Sequence, residues 1–186
     1  IVASLVGSEM CIRDSISGID IALWDLKGKA YKAPVRELLG GTSEPIPCYA
    51  TGMYFRQGVA EEDLIEQLLK EAEAYVKSGF SFLKIKIGKN LNFDAQLIEA
   101  FRQNFPNIDL AADSNHAYNF KEALIVGRLL EKHHYSWFEE PLHPSNLCDM
   151  AKLRESLSIY IASGECEQTR YGFLNFSEAN ALDIFQ

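Results

Sequence analysis

The feature that most constrains the fold of this chain is an alternation, from Ile46 onward, of short strand-like runs with segments of helical period. The helical segments carry apolar residues at i, i+3 and i+4 spacing, as in the stripe of Leu64, Leu68 and Ala72. Such an alternation predicts βαβ units and a parallel sheet. The strand-like runs lie at 46–51, 81–87, 108–113, 136–140, 158–163 and 181–186.

An ionisable residue lies at or near the C-terminal end of four successive predicted strands. These residues are Lys86, Asp113, Glu139 and Glu165, and they are spaced 27, 26 and 26 residues apart. In a (β/α) barrel the C-terminal ends of the strands converge on the active site. No GxGxxG or GxxxxGK[ST] motif occurs, so the nucleotide-binding α/β folds are not supported. The spacing therefore predicts an α/β barrel with a charged centre, rather than four ordinary loop charges.

Three of these four residues are carboxylates, which together would form an oxygen-rich site. Oxygen ligands suit Mg²⁺, with Mn²⁺ as the alternative. Without a cation, three adjacent carboxylates would repel and would raise one another's pKa values. Zinc is disfavoured because none of the four histidines occupies a corresponding strand end. The pattern therefore predicts a magnesium site.

Lys84 and Lys86 are two residues apart on a predicted strand, so their side chains share one face. Ile85 and Ile87 point to the other face, where we expect helices to cover them. Each lysine disfavours protonation of the other, and partial burial acts in the same direction, so we predict that Lys86 serves as a base near neutral pH. The alternative is a pair of solvated surface lysines.

The composition excludes several classes of protein. A net charge of −8 over 186 residues argues against nonspecific binding to nucleic acid or to an anionic membrane. No apolar run approaches the roughly 20 residues that span a bilayer. The four cysteines are widely spaced and form no CxxC pair, which favours free thiols. We therefore expect a cytoplasmic protein without nucleic-acid or membrane partners.

The chain also carries five motifs in a distinctive order. They are GIDIALWDLKGKAYKAPVRELLGG, the K-x-K that ends at Lys86, the D-x-N that begins at Asp113, the WFEEP that ends at Pro141 and the SGE that ends at Glu165. In this order and spacing they resemble the mandelate racemase/muconate lactonizing branch of the enolase superfamily, from about Ser17 to the end of the chain. The resemblance implies a modified (β/α)₇β barrel, and a lyase or isomerase that removes the proton α to a carboxylate.

The resemblance also assigns roles to individual residues. Asp113, Glu139 and Glu165 would be the ligands of Mg²⁺. Lys86 would be the base on one face of the substrate. Lys84 would contact the substrate carboxylate and would depress the pKa of Lys86.

Further roles concern the neighbouring residues. Asn115 would touch the substrate or groups bound to the metal, and Glu140 would support the ligand residues rather than bind the ion. His116 is either a substrate contact or a packing histidine at a helix entry. Cys166 is interpreted as a small packing residue rather than a nucleophile.

The motifs DSNHAY and WFEEP are most similar to those of acid-sugar dehydratases and sugar-lactone cycloisomerases, and the run DSNHAYN…WFEEP…GECEQTRYGF resembles galactarolactone cycloisomerases in particular. The resemblance therefore implies a small-molecule carboxylate substrate, and a homo-oligomer for the full-length form. Racemisation, dehydration and cycloisomerisation all stay open. The acid/base group that would distinguish them acts on the opposite substrate face and lies on the later strands of the family barrel.

The chain departs from the family pattern at both ends. We therefore expect a partial barrel of about six of the eight strands, without the N-terminal capping domain. The run IVASLVGSEMCIRDS shows no helical or strand period and no family counterpart. We predict that residues 1–16 are a foreign segment, an artefact of sequence assembly or cloning. Residues 17–45 are then a helix and linker, and residues 46–186 the incomplete barrel domain. The chain is either part of a catalytic acid-sugar enzyme or, as it stands, a catalytically silent fragment.

Overall fold

The computed structural model describes residues 2–56 and 58–186. The chain divides into two compact units, the first ending at Pro47 and the second spanning Cys48–Gln186. The first unit contains helix α1, Val2–Tyr31, and the single-turn helix α2, Val35–Leu38. Among the described residues, no helix is both long enough and apolar enough to cross a bilayer.

Helix α1 begins at Val2, well before the helix that the sequence predicts from residue 17, although the run before Ser17 shows no helical period. Once a helix has nucleated, each added residue gains one hydrogen bond, so the helix can extend over residues without an apolar period until a breaker such as proline interrupts it. The N-terminal run contains no proline. The foreign origin of this run stays a prediction.

The second unit is built on one parallel sheet whose strand order follows the chain order. This arrangement confirms the predicted partial barrel of six strands. The strands are β1 Ala50–Thr51, β2 Phe82–Lys86, β3 Asp109–Asp113, β4 Trp137–Glu139, β5 Tyr160–Ser163 and β6 Ile184–Phe185.

All six predicted strands occur, but β1 and β6 are only two residues long. Each of these two strands pairs with one neighbour, so each has a single ladder of hydrogen bonds to hold it extended. The first four residues of the predicted run 46–51 consequently stay outside β1.

In the described part of the chain, five helices alternate with the strands, and three of them are preceded by an asparagine N-cap. The Asn90 side chain accepts a hydrogen bond from the Phe93 backbone N–H at 2.9 Å, and Asn119 forms a capping box with Glu122. The Asn146 side chain caps a third helix by accepting a hydrogen bond from the Asp149 backbone N–H. The helices are α3 Glu61–Lys77, α4 Leu91–Asn104, α5 Phe120–Lys132, α6 Leu147–Ser156 and α7 Thr169–Glu178.

The predicted stripe of Leu64, Leu68 and Ala72 lies on α3, whereas α7 carries no comparable apolar stripe. This last helix buries only Phe176, so it leaves a weak apolar pattern in the sequence. The core lies between the helices and the sheet, where Ile85, Leu97 and Phe138 are fully buried. The burial of Ile85 fixes which face of β2 is covered by helices, and it leaves Lys84 and Lys86 on the opposite face.

Candidate metal centre and active site

The charged strand ends meet at one edge of the sheet. Lys86 is the last residue of β2 and pairs in register with Asp113, the last residue of β3, which pairs with Glu139 at the end of β4. Glu165 lies two residues beyond the end of β5. Carboxylate oxygens of Asp113, Glu139 and Glu165 lie within 4.8 Å of one another. The structure thus brings together the four residues that the spacing singled out.

Two of these carboxylates are buried, and each has a lysine partner. Asp113 is 0% exposed and Glu139 is 1% exposed. The Lys84 Nζ lies 2.5 Å from Glu139 Oε1, and the Lys86 Nζ lies 2.5 Å from Asp113 Oδ2. Burying a carboxylate is costly unless it is paired, so each lysine stabilises the buried carboxylate next to it. The alternative of two solvated surface lysines is therefore wrong.

The protonation of Lys84 is set by its carboxylate neighbours. Burial alone would lower the pKa of Lys84, but its hydrogen bond to Glu139 and the charges of Glu139 and Asp113 outweigh burial and raise the pKa. The expectation that burial and the second lysine would together lower this pKa is wrong for Lys84. The K-x-K spacing alone does not reveal the carboxylates of β3 and β4 that face the two lysines.

Glu139 has two further partners that sequence reasoning missed. The Trp137 Nε1 donates to Glu139 Oε2 at 3.2 Å, and the Gln186 Nε2 donates to the same oxygen at 3.0 Å. Trp137 lies two residues before Glu139 on the same strand, so the two-residue period of a strand could have identified it. Gln186 reaches Glu139 from beyond β6, and no local pattern reveals that contact.

Glu165 is the most accessible of the three carboxylates. Its partial burial and the negative charges of Glu140 and Asp113 raise its pKa. The two lysines leave the three carboxylates with a net negative charge. A set of three close carboxylates with this unbalanced charge fits a hard divalent cation.

A second row of side chains lies just beyond the strand ends. The Asn115 Oδ1 accepts a hydrogen bond from Lys86 Nζ at 2.8 Å, and its backbone N–H donates to Asp113 Oδ1 at 3.0 Å. The His116 Nε2 lies 2.6 Å from Glu140 Oε1, and Glu140 is fully buried. Cys166 is exposed, so its interpretation as a packing residue is wrong.

The backbone of this row is held in an unusual conformation. Asn115, His116 and Glu140 have φ angles of 43°, 64° and 45°, in the left-handed region that non-glycine residues rarely occupy. The His116 N–H donates to the Glu140 carbonyl at 2.9 Å, which ties together the loops after β3 and β4. Strained residues persist only where the surrounding structure holds them, and they cluster at functional sites.

A cleft of about 370 Å³ opens beside Lys86. The Tyr54 ring forms part of its wall, with its centroid 5.4 Å from Lys86 Nζ. Asn115 and Gly88 also line it. The cleft is large enough for a small organic ligand, whose atoms would lie next to the Lys86 amine.

Comparison with known protein families matches most of the chain. Residues 67–186 match the family model described as Enolase C-terminal domain-like. Residues 5–40 match the model of the Mandelate racemase / muconate lactonizing enzyme, N-terminal domain. The second match begins before Ser17, where the resemblance was expected to start.

Two curated relatives act on sugar acids or their lactones according to their names. Arabinonate dehydratase of Saccharolobus solfataricus is 40% identical over 92% of this chain and 45% of its own length. D-galactarolactone cycloisomerase of Agrobacterium fabrum is 39% identical over 92% of this chain and 45% of its own length. The chain thus spans about half the length of the relatives that it matches.

Solved structures of enzymes with similar names also match this chain. The 3,6-anhydro-D-galactonate cycloisomerase of Zobellia galactanivorans superposes with a TM-score of 0.83 at 43% identity, covering 92% of this chain and 47% of that one. A racemase of Streptomyces coelicolor with bound magnesium gives 0.80 at 32% identity, covering 91% and 50%. This chain therefore belongs to the mandelate racemase/muconate lactonizing enzyme family of the enolase superfamily.

Proposed function

We propose that a full-length enzyme containing this chain removes the proton α to the carboxylate of an acid sugar, as a step in dehydration or lactone cycloisomerisation. The observation that carries the proposal is the pairing of Lys84 and Lys86 with buried carboxylates beside an open cleft. The names of the two relatives, a dehydratase of arabinonate and a cycloisomerase of galactarolactone, support this substrate class.

In this proposal, Asp113, Glu139 and Glu165 hold Mg²⁺, or Mn²⁺ in its place. The close approach of their oxygens and the magnesium bound to a related racemase both support this assignment. The ion would supply Lewis-acid stabilisation of the negative charge that develops on the substrate carboxylate. Such stabilisation matters because loss of an α-proton next to a carboxylate concentrates two negative charges on one group.

The two lysines have different roles in this proposal. Lys86 takes the α-proton, and the 2.8 Å hydrogen bond to Asn115 Oδ1 directs its amine. Lys84 contributes a second positive charge next to the substrate carboxylate. Because Lys84 is almost fully buried, little water screens that charge.

The residues beyond the strand ends position the substrate. Glu140 lies between Asn115 and His116, with Asn115 Nδ2 3.5 Å and His116 Nε2 2.6 Å from its oxygens. His116 is partly exposed and would contact the polar end of the substrate. We propose a binding role for His116 and a supporting role for Glu140.

The test of the mechanism is exchange of the α-proton of an acid sugar with solvent deuterium, followed by NMR in the full-length enzyme. Lys86→Ala should abolish the exchange while leaving Mg²⁺ binding largely intact. The matched control is Lys89→Ala, which removes a surface partner of Glu61, 3.3 Å away, and should not change the exchange rate. Unchanged exchange in the Lys86→Ala enzyme would remove Lys86 from the mechanism.

For the 186-residue chain alone, we propose weak Mg²⁺ binding without turnover, because the relatives' activities belong to chains about twice as long. Incubation of the purified chain with arabinonate and with galactarolactone, followed by NMR, tests this. Formation of a dehydrated or isomerised product would show that the chain is catalytic as it stands.

A further inference from the structure

A second cluster of metal-ligating side chains lies next to the three carboxylates. His116, Glu140 and Cys166 follow Asp113, Glu139 and Glu165 in the sequence by three, one and one residues. One nitrogen, one oxygen and one sulfur of this cluster lie within 4.8 Å of one another. The loops after β3, β4 and β5 thus carry a mixed-donor group directly beyond an all-oxygen one.

The cluster contains buried polar atoms without hydrogen-bond partners. The Glu140 side chain is fully buried, yet its Oε1 accepts no hydrogen bond. The His116 Nε2 is also buried; it lies 2.6 Å from Glu140 Oε1 as an ion-pair contact but forms no hydrogen bond. Buried polar atoms almost always have a partner, and a cation that binds both atoms would satisfy them together.

The ligand atoms of the cluster determine which metal ion it would bind. An imidazole nitrogen, a thiolate and a carboxylate form a ligand set of intermediate softness, which suits Zn²⁺ and disfavours Mg²⁺. Ligand atoms on a tetrahedral zinc ion lie about 3.3 Å apart, given zinc–nitrogen and zinc–oxygen bonds of about 2.0 Å. The His116 and Glu140 atoms would have to separate by less than about 1 Å to reach this spacing.

The remaining ligands are accessible. Cys166 is exposed, so its thiol is accessible to an incoming ion. His143 supplies another imidazole next to the cluster, with its ring centroid 5.7 Å from that of His116. Water can complete a tetrahedral site that has three protein ligands.

We propose that His116, Glu140 and Cys166 form a second metal site, which binds Zn²⁺ or an ion of similar softness independently of the three-carboxylate centre. The inference concerns metal binding by this chain without substrate, because the proposed activity uses His116 as a substrate contact.

The test uses Co²⁺ as a spectroscopic substitute for Zn²⁺ in the purified 186-residue chain, with a phosphine reductant that keeps the thiols reduced. A cobalt ion bound to a thiolate gives a ligand-to-metal charge-transfer band that carboxylate ligands do not give. We expect this band in the unaltered chain and its loss in Cys166→Ser. The matched control is Cys148→Ser, which alters another exposed cysteine and should keep the band.

Two further variants separate the site from its neighbour. His116→Gln should weaken cobalt binding at least about tenfold, the scale on which even outer partners of a metal site act. Asp113→Asn, and an excess of Mg²⁺, should leave the band unchanged. Thermal unfolding followed by circular dichroism checks that each variant is folded.

Three results would overturn the proposal. They are persistence of the band in Cys166→Ser, unchanged affinity in a folded His116→Gln chain, and displacement of the band by Mg²⁺.

Discussion

One face of the sheet carries two layers of side chains with opposite character. The aromatic layer lies where the strands begin and consists of Tyr49, Phe82 and Trp137, whose ring centroids are 4.8–5.8 Å apart. The charged layer lies where the strands end and consists of Lys84, Lys86, Asp113 and Glu139. On β2 and β4, a step of two residues separates an aromatic ring from a charged group, since side chains two apart share a face.

The two layers are in contact. Trp137 donates to Glu139 at 3.2 Å, and the Tyr49 ring centroid lies 5.8 Å from Lys84 Nζ. The aromatic rings therefore form an apolar floor under the charges. Because an apolar floor lowers the local dielectric constant, it strengthens the attraction between each lysine and its carboxylate. Packing therefore stabilises the aromatic layer, whereas charge balance stabilises the charged layer.

Removing a charge from the charged layer should have the largest effect. Lys84→Met should lower the free energy of unfolding by about 3–5 kcal/mol, because it leaves the buried Glu139 carboxylate without its cation. Urea denaturation at neutral pH without added metal measures the loss. Lys89→Met is the matched control, with a surface ion pair and an expected cost below about 1 kcal/mol. Equal losses in the two variants would contradict the charge-balance account.

The contact between the layers should have an intermediate effect. Trp137→Phe keeps an aromatic ring but removes the Nε1 donor, so the buried Glu139 Oε2 is left with one hydrogen bond. We expect a loss of about 2 kcal/mol, typical of a lost hydrogen bond to a charged group. Denaturation under the same conditions measures it. If Trp137→Phe lowers the free energy of unfolding by less than a purely apolar substitution in the aromatic layer does, the Nε1 donor contributes nothing.

A change within the aromatic layer supplies that reference and should have the smallest effect. Phe82→Leu preserves most of the apolar volume and should cost about 1 kcal/mol, including the lost ring contact with Trp137. Calorimetric melting provides the measurement. If this variant proves less stable than the Lys84→Met chain, the ranking of the two layers is reversed.

Much of the fold and of the site could be predicted from the sequence because both depend on short-range periods. The two-residue period of β2 placed Lys84 and Lys86 on one face, and the 26- or 27-residue βα repeat brought Asp113 and Glu139 next to them. In a parallel sheet with sequential strand order, equal repeats place equivalent residues side by side.

The rest depends on contacts that no local pattern encodes. The raised pKa of Lys84 follows from carboxylates on two other strands, and the contact between Gln186 and Glu139 joins β4 to the end of the chain. The left-handed backbone of His116 is likewise imposed by the loop after β4, through a hydrogen bond to the Glu140 carbonyl.

The central claim is that the strand-end carboxylates form one site for a hard divalent cation. Titration of the 186-residue chain with Mn²⁺, followed by electron paramagnetic resonance with Mg²⁺ as competitor, tests it most directly. We predict one site that Mg²⁺ displaces, its loss in Asp113→Asn, and its retention in Asp109→Asn, which alters the exposed carboxylate at the start of the same strand. Unchanged Mn²⁺ binding in Asp113→Asn, or equal loss in both variants, would contradict the claim.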